Sequence, residues 1–227
     1  MKRIFLPITK VTLFSIAFLF LSCSKDEDEP IREYVDLGLS VKWSTCNVGA
    51  SKPEECGEYY AWGELNTKEI YGIDTYKFSV SGSYTKYVTV SHGGWSDFKD
   101  GKTKLDLEDD VAHGKWGDGW RMPTRSEMKE LIDNCTWTKT VQNGMAGYIV
   151  KSKKSGFTDK SIFLPAAGQR YANVIDNVGV FGYYWTSNLD ASDQLDYASY
   201  ALFFKTSEIR MSSQARSYGI PIRPVCP

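Results

Sequence analysis

The residues able to do chemistry fall into a few groups. Asp97, Asp100, Asp106, Glu108, Asp109 and Asp110 put six carboxylates within fourteen positions. Hard oxygen ligands at that density suit calcium, which takes about six to eight oxygens. Asp97-Phe98-Lys99-Asp100-Gly101 lacks the register of an EF-hand loop, however, so no metal and no cofactor is assigned. His113 sits beside the same acids and could join Asp109 or Asp110 in a metal or proton-transfer site, although a lone His among acids is more simply a solvated helix face. Ser91-His92-Gly93-Gly94 has the look of an oxyanion loop, yet no Gly-x-Ser-x-Gly elbow supplies a nucleophile. A Gly-rich surface loop is the simpler expectation, and no catalytic residue is assigned.

The five cysteines divide by position. Lys2 and Arg3 precede the apolar run Val11–Leu21, which is too short for the roughly 20 residues of a spanning helix and suits a secretory signal segment. It ends in Leu21-Ser22-Cys23-Ser24, which resembles a lipobox, with Phe20 where Leu is usual. Residues 1–22 are thus expected to be a signal peptide and Cys23 to carry lipid. Residues 23–32 form an acidic tether whose Ser-Lys-Asp-Glu-Asp-Glu-Pro run cannot bury itself. Lys25-Asp26-Glu27 behind the lipidated cysteine resembles an export signal of surface-displayed lipoproteins. The expected location is the outer membrane, facing outward, with the lipid as the only membrane contact. Cys46, Cys56, Cys135 and Cys226 remain as disulfide candidates in an oxidising compartment. Of the three possible pairings, a Cys46–Cys135 bridge would close a loop of about ninety residues, worth roughly 4–5 kcal/mol in the chain-entropy model.

Without residues 1–22, which hold Lys2, Arg3 and Lys10 and no acids, the chain carries 24 basic and 28 acidic residues, a net charge of −4. No basic cluster stands out, which argues against nucleic acid as a partner. Seven Trp and fourteen Tyr supply buried area and amphipathic contact surface to the single domain expected over 33–227.

The positioning elements read as follows. Tyr34–Val48 suggests a strand pair broken at Gly38, Gly57–Gly63 a short aromatic strand, and residues 64–104 mostly loops around a strand at Tyr84–Val90. Leu105, Leu107, Val111, Ala112 and Trp116 lie on one helical stripe with acids in its first turns, ending at Gly117. Thr124-Arg125-Ser126-Glu127 is a capping box, with Met128, Leu131, Ile132 and Cys135 at helical spacing behind it. Thr136–Val141 and Gly147–Lys151 flank an Asn143-Gly144 turn. Ser161–Pro165, Gly182–Ser187, Ala198–Phe204 and Ile220–Val225 are further strands. The fold class expected is α+β.

Tyr34-Val35-Asp36-Leu37-Gly38-Leu39, the Trp120-Arg121-Met122-Pro123-Thr124 stretch with the acidic segment before it, IFLPAAGQR, GYYWTS and Arg223-Pro224-Val225 together resemble the Fibrobacter-type major paralogous domain of exported bacterial lipoproteins. That family is similar to the formylglycine-generating branch of the C-type lectin fold. The resemblance implies two helices, short antiparallel strands, long loops, neighbouring termini and a loop-rich binding face, with Arg121 and Glu127 as structural parts of a turn and a cap. The copper-binding cysteine pair of the enzymatic branch has no counterpart, since only Cys226 lies beyond Cys135. The Glu-Pro-Asn, Gln-Pro-Asp and Trp-Asn-Asp triplets of calcium-dependent sugar lectins are also absent.

The polar stretch 186–218, rich in Asn, Asp, Ser, Tyr and Arg, has the composition of adaptable contact loops. Asn188, Asp190, Tyr197, Arg210, Arg216 and Tyr218 are its expected ligand-binding residues, with Tyr184 and Trp185 as core. The function expected is a non-catalytic binding or adhesion module for a glycan or protein. The alternatives are an enzyme related to the formylglycine-generating type and a structural subunit of a surface appendage.

Overall fold

The computed structural model describes residues 32–90, 93–117, 119–192 and 196–227. Cys23, the signal segment, the tether up to Ile31, and Ser91 and His92 lie outside the described residues. Along the chain, β1 (Tyr34–Val35) and β2 (Lys42–Ser44) lead into long connections carrying β3 (Ser79–Val80) and β4 (Ser83–Tyr84). Helices α1 (Val111–Trp116) and α2 (Arg125–Asn134) follow. Then come β5 (Cys135–Gln142), β6 (Met145–Ser152), β7 (Ser161–Pro165), β8 (Gln169–Tyr171), β9 (Val174–Asp176), β10 (Gly182–Leu189), β11 (Ala198–Lys205), β12 (Glu208–Ala215) and β13 (Val225–Cys226). The fold is α+β, and every pairing between these strands is antiparallel.

Local chemistry accounts for the best-marked elements. The Thr124 hydroxyl accepts the Glu127 N–H at 3.3 Å while the Glu127 carboxylate accepts the Thr124 N–H at 2.8 Å, the reciprocal cap that starts α2. Asn143 and Gly144 both take positive φ, 47° and 86°, as a tight two-residue turn between twisted strands requires, and they join β5 to β6.

The sheet β10-β11-β12 is covered on both faces, which explains the unbroken apolar runs Tyr183-Tyr184-Trp185 and Ala201–Phe204. Tyr183, Trp185, Ala201 and Phe203 face a core filled by Tyr60, Trp62, Tyr76, Tyr87 and Ile220 from the long connections. Tyr184, Leu202 and Phe204 face the opposite core, with Met128 and Leu131 of α2, Val150 of β6 and Trp43 of β2. Tyr184 and Trp185 are thus core, as expected. The first and last strands flank β2 in one sheet, so the two ends of Arg32–Pro227 meet there.

Some elements depart from the sequence reading. The helix over 105–116 begins only at Val111, because Asp110 is its N-cap and accepts the N–H groups of Ala112 and His113. The acids therefore precede the helix, and Leu107 is exposed instead of lying on its buried stripe. Beyond Tyr84 no strand continues. The N–H groups of Tyr87 and Val88 go to the Asp100 carboxylate and those of Thr89 and Val90 to Asp196, leaving no ladder to build. The aromatic stretch 57–63 and Ile220 reduce to one bridge between Tyr60 and Ile220. Residues 208–215, read as loop, form β12, with Ile209 and Met211 packed toward the α2 side. Cys46, Cys56, Cys135 and Cys226, the disulfide candidates, are free thiols in this structure. Burial pushes the thiols of Cys56 and Cys226 up, and that of Cys135 to about 11.

Candidate functional site

The acidic segment resolves into an ion-pair network organised by one lysine. Lys86 Nζ lies 2.9 Å from Asp106, 2.8 Å from Glu108 and 2.6 Å from Asp109. One oxygen from each of these acids falls within 4.8 Å of the others, a spacing a metal ion could use, but the Lys86 ammonium bonds to all three carboxylates. Lys77 at 2.9 Å and the Tyr87 hydroxyl at 2.6 Å complete the shell of the buried Asp109. Burial pushes Asp109 up, and the hydrogen bonds from Lys86, Tyr87 and Lys77 outweigh it, holding the carboxyl below its usual range. Burial dominates at Asp110, whose pKa is raised although it accepts the N–H groups of Met122, Ala112 and His113. Asp100 is spent on backbone N–H groups, so the six acids do not converge. His113 meets Asp110 through its backbone N–H.

Arg121 grips Glu127 with two bonds, Nη1 to Oε2 at 2.8 Å and Nη2 to Oε1 at 2.6 Å, while its backbone pairs with Val225. The pair fastens the α2 cap to the closing strand, the structural role expected of it.

The six expected ligand residues separate. Asn188 Oδ1 accepts the Arg125 N–H at 2.8 Å and so caps the start of α2. Asp190 is buried and accepts hydrogen bonds from Ser192 and Ser213. Arg210 pairs with Glu208 at 2.5 Å and lies 4.9 Å from the Phe203 ring centroid. Arg216, expected on the surface, is fully buried. Its Nη1 donates to Tyr87 O at 2.9 Å, and its guanidinium sits 3.6 Å from the Tyr84 ring centroid. That correction has a physical cause, since the aromatic rings of the long connections offer a cation a π face where no solvent reaches. Tyr197 is 49% exposed, and Tyr218 is half-buried with its ring 4.9 Å from that of Tyr171.

Tyr197 and Tyr218 each line one of two adjoining hollows. The first, about 360 Å³, is bounded by Ser83, Tyr84, Gly93, Tyr197 and Ala215. The second, about 380 Å³, lies among Ile70–Thr75, Tyr171, Ala172 and Tyr218. Ile73 and Ser217 line both, so the two hollows adjoin as a two-part trough.

Its walls are stitched by backbone. Tyr71 and Ala172 exchange both N–H···O bonds at 2.8 Å, and Arg170 and Gly219 do so at 2.7 and 2.9 Å. Gly219 is required here, since a Cβ would stand 2.7 Å from the Tyr71 ring. At the other end the buried Asp196 carboxylate accepts from Thr89 N, Thr89 Oγ1 and Val90 N at 2.6–3.0 Å. The Arg216 N–H then binds Tyr197 O at 3.0 Å, so Tyr197 is held from both sides.

The sequence reading missed the trough's other half. Ile70, Ile73 and Tyr171 sit in connections and in the β8–β9 hairpin, where the exposure of Tyr171, Val174 and Ile175 emerges only in the fold. A larger hollow of about 460 Å³ is lined by Arg32, Glu55, Glu58, Lys115 and Trp116, and Arg32, Glu55 and Glu58 are engaged internally. Arg32 stacks on Trp116, Glu55 binds the Ser51 turn, and Glu58 accepts from the Tyr60 hydroxyl. No family model matches the chain, and no curated protein or solved structure matches it significantly.

Proposed function

We propose that this chain is a lipoprotein anchored by Cys23 in the outer membrane and facing the cell exterior. Its C-type-lectin-like domain acts there as a non-catalytic module that binds a glycan or a protein. The observation that carries this reading is the trough between Tyr197 and Tyr171. Exposed aromatic side chains with polar tips, fixed by backbone pairing and buried carboxylates, make contact area that loses little entropy on binding. The meeting of the first and last strands and the loops gathered around the trough support the lectin-like assignment.

Two measurements test it. Wild-type chain and Tyr197→Ala, purified in detergent, are compared on a glycan array and against labelled cell-surface proteins. The reading requires a ligand whose binding falls at least about tenfold in the variant, equivalent to 1.4 kcal/mol. Binding that ignores the substitution refutes the site. Protease added to intact cells should degrade the domain, and protection until the outer membrane is opened refutes surface display.

A further inference from the structure

We infer that the trough binds an uncharged oligosaccharide, with sugar rings laid on the faces of Tyr171 and Tyr197. The inference rests on the binding-module reading above and names its ligand class. Charge is the first argument. Among the described residues lining the two hollows, Asp74 alone carries a formal charge. A phosphorylated, sulfated or carboxylated ligand would need cations there, but Arg216 is sealed behind the Tyr84 ring, and Lys68 and Arg170, against the Tyr71 ring, are engaged by Glu64 and by backbone carbonyls. A cationic ligand would find one carboxylate and no second.

Ring faces are the second argument. Tyr171 is 55% exposed and Tyr197 49%, although neither is left to move freely. Tyr171 is held by its cross-strand partner Val174 and by Tyr218, and Tyr197 by the bonds on either side of it. A pyranose presents one face of C–H groups, which packs on an aromatic ring, and a rim of hydroxyls that need donors and acceptors. The trough meets both needs. Ser83, Ser217 and the hydroxyls of Tyr171, Tyr197 and Tyr218 serve the rim, and Gly72, Gly82 and Gly93 bare the backbone beside them.

Shape is the third. Each hollow falls low in the range of about 300–1,000 Å³ typical of small-ligand sites, and the two share a wall. A chain of repeated rings suits that outline better than the broad contact of a protein partner, which buries about 800 Å² per side.

The test is calorimetric titration of the full chain in detergent. The probes are maltohexaose, cellohexaose, mannohexaose and xylohexaose, with oligogalacturonate and a chitosan hexamer as charged controls. At least one neutral hexasaccharide should bind with a Kd of about 1 mM or tighter. Tyr171→Ala and Tyr197→Ala should each weaken it at least about tenfold, with the melting temperature unchanged, because both rings are half in solvent. Tyr171→Phe should retain most of the affinity, as a stacking role requires. Failure of all four neutral probes overturns the inference, as does binding of the charged probes alone. So does neutral binding undiminished in the double Ala variant. If the saccharides fail while a surface protein is held by wild type and lost by Tyr197→Ala, the module reading survives and the glycan inference alone falls. If both fail, both fall.

Discussion

The Arg216 guanidinium lies 3.6 Å from the centroid of the Tyr84 ring, and Tyr84 in turn forms a wall of the trough. A cation with no exposure thus supports the inner side of the proposed binding surface, with Tyr76 at 5.7 Å as a second ring. Its Nε and Nη2 make no hydrogen bond among the described residues, so ring contact and the bond to Tyr87 O offset its burial.

Arg216→Ala should therefore destabilise the fold, by about 2–4 kcal/mol, through the lost desolvated cation–π contact and the cavity left behind. Urea unfolding of this variant beside Tyr197→Ala separates support from contact, since the exposed tyrosine should cost no more than about 0.5 kcal/mol. Equal midpoints for wild type and Arg216→Ala would show that the guanidinium contributes nothing there.

Thr124→Ala removes the acceptor for the Glu127 N–H and should cost about 0.5–2 kcal/mol. Asn188→Ala should act in the same direction, because it frees the Arg125 N–H at the same helix start. The two changes touch one cap, so their sum should differ from the double variant. Strict additivity in the denaturation midpoints would mean that Asn188 serves something other than α2.

Glu127 supplies a pH signature. Burial pushes its carboxyl up, but Arg121 and the Thr124 N–H outweigh this and hold it below its ordinary 4.5. The unfolded chain then binds the proton more readily than the folded one. The stabilisation is complete above pH 4.5 and disappears as pH falls through the lower folded value. As pH falls below 4.5, Glu127→Gln should lose less further stability than wild type. Parallel stability–pH curves would dispose of this linkage.

Cys23→Ala should release the protein from the membrane fraction, because acyl chains and not a helix are expected to hold it. Persistence of the variant in washed membranes, at unchanged gel mobility, would end the lipoprotein assignment.

What could be read from the sequence was whatever neighbours in the chain decide. The Thr124 cap, the Asn143-Gly144 turn and the doubly covered strands around Trp185 and Phe203 each declare themselves within a few residues. β12 did not, since Ile209 and Met211 are its only large apolar residues and its other positions look like loop. Asp110 hid the start of α1, because an N-cap aspartate and a first-turn aspartate are the same letter. Arg216 was misjudged for a similar reason. Nothing beside it signals that Tyr76, Tyr84 and Tyr87, from a distant connection, enclose it. The trough was half visible, as Tyr197 and Tyr218 lie in the stretch whose composition marked it, whereas Ile73 and Tyr171 come from segments with no such mark.

The sheet that joins the two ends of the domain also fixes how it would bear a load. β1 and β13 both run antiparallel to β2, so they are parallel to each other, with Val35 and Val225 facing Trp43 from opposite sides. Pulling the ends apart drags β1 and β13 in opposite directions along their own axes. The bonds between Tyr34–Val35 and β2, the Thr45 N–H to Glu33 O bond and the Ser44 N–H to Pro224 O bond are then strained together in shear. They cannot open one at a time like a zipper, and rupture must break the set at once. A load applied at Arg32 would meet the β1–β2 bonds in this shearing geometry.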